Sequence, residues 1–194
     1  MRLFVAVDLA DSVRGDVQQI TVALRQRLER LKHATRVGWV SPDHMHLTLV
    51  FLGEVSEAVG ADVKARLVTP LPLAPFVIRV GRLGMFPPDG RPHVIWLGVN
   101  EGAEPLRQLH REVLARLDGV PFARDGRAFS PHLTLARFRE PGTVSERHAL
   151  ADVPLPAAMP SLVGHVTLYQ SRLSAKGSFY TPLRQTPLLG EVVA

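Results

Sequence analysis

The tetrapeptide His46-Leu47-Thr48-Leu49 recurs, residue for residue, as His132-Leu133-Thr134-Leu135. The two copies lie 86 residues apart, each follows a turn-forming proline, and each belongs to an apolar run typical of a β-strand. Because strand side chains alternate between two faces, the histidine and threonine of each copy share one face and the leucines share the other. The repeat therefore predicts two strands that are anchored in a core through leucine and that present an imidazole and a hydroxyl on the opposite face.

Two such strands facing each other across a cleft would surround one small anion with two imidazoles and two hydroxyl donors. One neutral histidine can deprotonate an attacking hydroxyl while the other, protonated, donates to the leaving oxygen. The hydroxyls of Thr48 and Thr134 can bind the non-bridging oxygens and stabilise developing charge. This set suits phosphoryl chemistry without a metal, with His46 and His132 as the catalytic pair and the threonines as phosphate ligands.

Two other interpretations compete with this one. A single His-x-Thr is ordinarily part of a half-exposed strand, and a third copy of the pattern, His165-Val166-Thr167, has no preceding proline. The histidines could also bind a metal together with His44, yet zinc takes three or four protein ligands, and no cysteine or evident carboxylate cluster completes the set. The duplication of four residues in comparable surroundings favours the catalytic pair and no metal, and we interpret His165 as an ordinary strand residue.

The rest of the hydrophobic pattern predicts helices and strands that are mixed without strict βαβ spacing. Helical periodicity is found at 12–32, 56–67, 104–117 and 144–150, with Asp11 or Ser12 capping the first helix. Strand-like runs are found at 3–9, 37–40, 45–52, 76–80, 93–99, 131–138, 161–168 and 178–183. This mixture favours antiparallel sheets covered by helices, an α+β fold, over a doubly wound parallel sheet.

Composition narrows the classes of function. The 194 residues are 46% hydrophobic and 21% charged, which is enough for one sizeable core or for two small lobes sharing an interface. The absence of cysteine excludes a disulfide framework, a thiol nucleophile and an iron–sulfur cluster. The net charge of +5 favours an anionic partner, with a nucleic acid or nucleotide first. No P-loop or G-x-G-x-x-G fingerprint supports a bound cofactor. The first apolar run stops at Asp8, too soon for a membrane span or signal peptide, so we expect a cytoplasmic protein.

With these residues in place, the sequence resembles the two-histidine (2H) phosphoesterase superfamily, and more closely the bacterial and archaeal RNA 2′,3′-cyclic phosphodiesterases, also called 2′-5′ RNA ligases. The resemblance spans nearly the whole chain and includes the segments 1–9, 46–53, 84–87, 95–99, 129–137 and 168–173. It implies one bilobal domain over 1–194, with two pseudo-symmetric lobes of antiparallel sheet and outer helices around a central cleft.

The resemblance also implies a reaction. Water opens a terminal 2′,3′-cyclic phosphate to leave a 2′-phosphate, and an RNA 5′-hydroxyl in place of water would give a 2′-5′ linkage. By this resemblance His132 is the base and His46 the acid that protonates the departing 3′-oxygen, although two identical motifs do not themselves assign these directions. The partners implied are RNA ends or nucleotides that carry such a phosphate, without a cofactor, and we expect a monomer. The alternatives are another cyclic phosphate, such as that of ADP-ribose, a 2′-5′ oligonucleotide, or a module that binds RNA ends without catalysis.

Three further residues are candidates for the cleft. Phe51 and Arg137 stand five positions after the two histidines, where Phe51 could stack on a base or sugar and Arg137 could bind phosphate. Strict alternation, however, places Phe51 in the core and turns Arg137 away from the cleft unless the strand ends or bulges there. Phe86, in the Pro- and Gly-rich segment 85–91, could be a base-stacking platform or fold back onto the core. The loop arginines Arg91, Arg124 and Arg127 could guide an RNA backbone.

Overall fold

A computed structural model describes residues 1–124, 126–151, 153–157, 159–174 and 177–190. Within these ranges the chain forms nine strands, four α-helices and a 3₁₀ turn at Pro42–His44. The strands are β1 (Arg2–Asp8), β2 (Val37–Trp39), β3 (His46–Glu54), β4 (Phe76–Phe86), β5 (Val94–Glu101), β6 (His132–Phe138), β7 (Met159–Val163), β8 (His165–Ser174) and β9 (Gly177–Pro187). The helices are α1 (Asp11–Glu29), α2 (Glu57–Arg66), α3 (Ala103–Arg116) and α4 (Val144–Ala151).

The strands form one sheet in the order β7-β4-β5-β6-β3-β1-β8-β9, with β2 paired to β6, and every neighbouring pair is antiparallel. We call β3, β1, β8 and β9 lobe one, and β6, β5, β4, β7 and β2 lobe two. The lobes meet where β3 lies beside β6, and the described residues there form one Cα pair, Leu47 with Leu133. The predicted α+β architecture of two antiparallel lobes is confirmed, and the lobes share a continuous sheet.

The two lobes repeat one motif of strand, helix and antiparallel strand. In lobe one β1 leads through α1 to β3, and in lobe two β5 leads through α3 to β6. In both cases the last strand begins with the His-Leu-Thr-Leu sequence. The duplicated tetrapeptide thus marks equivalent positions in two copies of one structural motif.

Each lobe is covered partly by a helix that belongs to the other. Helix α1 packs on α4 and β7 of lobe two, and the Ala10 backbone N–H donates to Ser161 Oγ at 3.0 Å. Helix α3 packs on β3 of lobe one. The apolar stripes that the sequence predicted for these helices are largely buried, and they belong to one core that includes residues of both lobes.

Three details of the predicted secondary structure are wrong. The single strand expected at 161–168 is two strands, β7 and β8, which part at Gly164 and pair at opposite ends of the sheet. The strand expected to end at Val80 continues through Gly84 to Phe86. The position before α1 is Ala10, with no side-chain cap. Gly84 lies within this strand at a site of close packing, where a Cβ would overlap the indole of Trp96.

No helix of the described residues is both long and apolar enough to cross a membrane.

Candidate active site

The two His-x-Thr motifs lie side by side where the lobes meet. One residue outward from the Leu47–Leu133 pair, the antiparallel register puts His46 across from Thr134, and Thr48 across from His132. The two leucines are fully buried, so the four polar side chains lie on the other face of the sheet. The sequence prediction of a shared face with two imidazoles and two hydroxyls therefore holds for the geometry.

The two imidazoles are anchored in the same way. Nδ1 of His46 lies 2.8 Å from the backbone oxygen of His44, and Nδ1 of His132 lies 2.7 Å from that of Ser130. A carbonyl oxygen only accepts, so Nδ1 carries the hydrogen in both rings, which leaves Nε2 as the nitrogen that takes or gives a proton. Each catalytic candidate is thus oriented by the turn that precedes its own strand.

Aromatic side chains enclose both imidazoles. The ring of Phe4 stacks on His46 with centroids 4.7 Å apart, and Tyr180 meets the same imidazole edge-on at 5.2 Å. Phe86 meets His132 edge-on at 5.1 Å. These contacts restrict ring rotation and remove water from the imidazoles.

Burial therefore keeps both histidines neutral in the free protein. Loss of solvent lowers the pKa of His46 to about 4, against partial opposition from its hydrogen bond to the His44 carbonyl and from the Asp8 carboxylate. Burial also lowers the pKa of His132; its hydrogen bond to the Ser130 carbonyl opposes this, while the charge of Arg137 adds to it. The surrounding charges thus differ in sign, because Asp8 favours an imidazolium at His46 and Arg137 disfavours one at His132.

A β-bulge follows each histidine and changes which side chains reach the cleft face. On β3 the partners pass from Val50 to Thr48 along consecutive residues of β1, which leaves Leu49 as the extra residue. On β6 the partners pass from Ala136 to Thr134, which leaves Leu135 as the extra residue. Each bulge shifts the alternation by one position, so that two successive buried residues are followed by an exposed one.

Phe51 and Arg137 are the residues that these bulges turn back to the face of the histidines. The expectation that strict alternation buries Phe51 is wrong: 47% of its surface is exposed, and the guanidinium of Arg2 lies 5.0 Å from its ring centroid. Arg137 is exposed and close enough to influence the pKa of His132. Arg137 was expected to face the cleft only if its strand ended or bulged there, and the bulge at Leu135 meets this condition.

Phe86 does not lie on an open loop. It is the last residue of β4, half-buried, with its ring 5.0 Å from that of Trp96 and against His132. Arg91 is also committed within the fold, because it donates to the carbonyls of Gly142 and Pro141, both at 2.8 Å. Arg124 pairs with Asp118 at 3.1 Å. Phe86 thus belongs to the wall around His132, and Arg91 to the packing of the loop after β4.

Asp8 was not predicted as part of the site. It is the Cα partner of His46 on the neighbouring strand β1. Its carboxylate accepts hydrogen bonds from Thr167 Oγ1 at 2.6 Å and Tyr169 Oη at 2.7 Å, and His165 Nε2 lies 3.4 Å away. Burial raises the pKa of Asp8, but the contacts with His165, Thr167 and Tyr169 outweigh it and bring the pKa to about 2. The available signal was the third His-x-Thr, which supplies two of the contacts.

Within the described ranges no group of three or more His, Asp or Glu residues is placed to hold a metal ion.

A two-lobed α+β fold with a His-x-Thr strand on each side of the junction defines a two-histidine phosphoesterase, as the resemblance implied. Within this class, residues 17–175 match the family described as the 2′-5′ RNA ligase superfamily, and the chain belongs to that family.

Individual relatives agree with this assignment over most of their length. An RNA 2′,3′-cyclic phosphodiesterase of Archaeoglobus fulgidus is 37% identical over 188 residues, which cover 95% of this chain and 98% of that protein. One of Thermus thermophilus is 33% identical, with 98% of this chain and 92% of that protein covered. The solved structure of TT0787 from Thermus thermophilus superposes with a TM-score of 0.77 at 31% identity, covering 97% of this chain and 98% of that one. Escherichia coli LigT complexed with 3′-AMP gives 0.73 at 26% identity, with the same coverage.

Proposed function

We propose that this protein opens terminal 2′,3′-cyclic phosphates of RNA with water, without a metal, and leaves a 2′-phosphate. The observation that carries the proposal is the pair of identical His-x-Thr motifs at one junction, each imidazole anchored through Nδ1 to a backbone carbonyl so that Nε2 remains for proton transfer. Relatives of similar length are named for this activity. Since one chain supplies both motifs, we propose that it works as a monomer, on RNA ends or nucleotides in the cytoplasm.

The proposed reaction is one in-line displacement with two proton transfers. Nε2 of His132 takes a proton from water as the water oxygen bonds to phosphorus. The bond from phosphorus to the 3′-oxygen breaks, and Nε2–H of His46 donates to that oxygen, which leaves a 2′-phosphate monoester and a 3′-hydroxyl. Each transfer is typically worth a factor of about 10²–10⁴ in rate. An RNA 5′-hydroxyl in place of water would give a 2′-5′ linkage by the same steps.

The protonation states of His132 and His46 in the free protein imply that bound substrate is needed to complete the catalytic pair. His132 is neutral in the free protein, as a base must be. His46 is neutral too, so it needs the negative charge of a bound phosphate to hold the proton that it donates. We assign Thr48 and Thr134 to the non-bridging oxygens, Arg137 to the phosphate charge, and Phe51 and Phe86 to base or sugar contacts.

The test is incubation with an RNA that ends in a 2′,3′-cyclic phosphate, in the presence of a chelator, followed by analysis of the end group. We expect a 2′-phosphate product from the wild type, and a loss of at least about 10²-fold in His46→Ala and in His132→Ala. The matched control is His148→Ala, which removes an exposed histidine of α4 and should leave the rate unchanged.

Full activity in either cleft variant would refute the catalytic pair, and a requirement for a divalent ion would favour the metal interpretation. The same enzyme preparation is assayed with a cyclic phosphate of ADP-ribose and with a 2′-5′ oligonucleotide. Faster turnover of either would reassign the substrate while leaving the site intact. Binding of the RNA end without turnover would identify a binding module.

A further inference from the structure

We propose that Asp8, held in place by His165, Thr167 and Tyr169, is a positioning residue that makes His46, and not His132, the proton donor. This inference rests on the proposed function, since it concerns the direction of proton transfer at the same site.

The surroundings of the two histidines differ at one equivalent position in the two lobes. Asp8 is the Cα partner of His46 on β1, and the equivalent partner of His132 on β5 is Gly98. Cross-strand partners project on the same face of a sheet. The histidine of lobe one therefore has a carboxylate beside it, whereas the histidine of lobe two has no side chain at that place.

The Asp8 carboxylate is held in a fixed position by neighbouring strands of the sheet. Its side chain is 18% exposed and accepts from two hydroxyls, while Thr167 is fully buried. No salt bridge among the described residues joins Asp8 to an arginine or lysine; the basic group beside it is His165 at 3.4 Å. The contacts with His165, Thr167 and Tyr169 hold the carboxylate in its ionised form, so a fixed negative charge lies on the strand beside His46.

The third His-x-Thr motif, on β8, contacts Asp8 instead of facing the cleft between the other two motifs. The residues at 165, 167 and 169 alternate onto one face of β8, and all three contact Asp8. The imidazole and hydroxyl of this copy are therefore engaged with a carboxylate of the protein. In the other two copies the same residue types remain available to a phosphate.

The charges around His46 come from several elements, and they do not all act in the same direction. Asp8 of β1 favours protonation of His46, while His44, from the turn before β3, disfavours it. Tyr169 of β8 and Tyr180 of β9 pack near the imidazole, and burial together with the hydrogen bond to Asp8 raises the pKa of Tyr169. The positive charge of Arg14 on α1 acts on Tyr169. Among these groups Asp8 is the one carboxylate, and its charge favours protonation of His46.

The test is a titration of the His46 and His132 ring signals by NMR, in the protein saturated with adenosine 2′-monophosphate as a product mimic. A carboxylate favours the imidazolium, so Asp8→Asn should lower the pKa of His46 by about one unit and should leave the pKa of His132 unchanged. The matched control is Glu54→Gln, which removes one exposed carboxylate from the far end of β3 and should shift neither signal.

A kinetic measurement separates positioning from a structural role. The donor must be protonated in the enzyme–substrate complex, so the alkaline limb of the kcat profile should move to lower pH in Asp8→Asn. A purely structural loss would lower the whole profile without moving that limb. If Asp8→Asn does not fold, Asp8→Ser provides a smaller uncharged side chain for the same measurements.

An unchanged His46 midpoint, or equal shifts at both histidines, would overturn the inference. The proposed function is judged separately, by the end-group assay on the wild type. Failure of the product mimic to bind would count against the proposed function. The same comparison of variants would then be made on the free protein.

Discussion

At the scale of single residues, two histidines with the same local sequence and the same backbone anchor lie in different electrostatic surroundings. His46 has Asp8 beside it, and His132 has Arg137. Identity of motif therefore does not mean identity of role. The sequence was sufficient to choose the two histidines, because alternation and duplication are local patterns. It was not sufficient to find Asp8, because this residue joins the site through pairing between strands.

The buried His46 should make stability fall in mild acid. An unfolded histidine has a pKa near 6.5 and the folded His46 one of about 4, so the unfolded state binds a proton first as the pH falls. Stability contributed by neutral His46 is complete above about pH 6.5 and is lost as the pH falls towards 4. We expect the melting temperature of His46→Gln to depend less on pH than that of the wild type over this window. The exposed His148→Gln is the control, and equal slopes in wild type and His46→Gln would contradict the prediction.

At the scale of secondary-structure elements, the bulges at Leu49 and Leu135 are the feature that sequence patterns could not reveal. A bulge is a mismatch between two paired strands, and the letters of one strand do not record it. The predicted strands around both motifs were right, and so were the faces of the first four residues. At each bulge the alternation is offset by one position, which brings Phe51 and Arg137 to the cleft face. Sequence patterns also did not reveal the split between β7 and β8, because apart from Gly164 the residues form an apolar run that looks like a single strand.

Close packing beside the site requires a residue without a side chain at position 84 of strand β4. A Cβ at Gly84 would overlap the Trp96 indole, whose centroid is 6.1 Å from that of His132. Gly84→Ala should displace the indole, destabilise the fold by about 1–3 kcal/mol and lower activity. The control is Gly15→Ala in α1, where a Cβ meets no atom within 4 Å and should stabilise the helix by about 0.5–1 kcal/mol. Chemical denaturation measures both, and a neutral Gly84→Ala would show that the indole moves freely.

Across the molecule, helices α1 and α3 join the two lobes in addition to the strand pair β3–β6. The lobes share one Cα pair in the sheet, whereas α1 packs on lobe two and α3 on lobe one. If either lobe opened, it would uncover the apolar face of a helix that belongs to the other. We therefore propose that the bilobal chain unfolds as one unit, and the sequence prediction of a single domain over 1–194 stays a prediction.

Calorimetry should accordingly record one transition. We expect the calorimetric and van't Hoff enthalpies of unfolding to agree, because neither lobe can bury its core alone. Leu24→Ala, in α1, and Leu109→Ala, in α3, each remove a fully buried side chain and should lower the single midpoint without splitting it. Two resolved transitions in any of these proteins would mean that the lobes unfold separately.

The separation of β7 from β8 also affects the order in which the protein can assemble during translation. The strands β4 to β7 of lobe two run consecutively through residues 76–163, whereas lobe one needs β1 and β3 from before that segment and β8 and β9 from after it. Until β8 has left the ribosome, β1 has one unpaired edge, and Asp8 lacks the side chains that hold it. The lobe that carries His132 can thus complete its strand pairing before the other lobe does, and the surroundings of His46 are completed last.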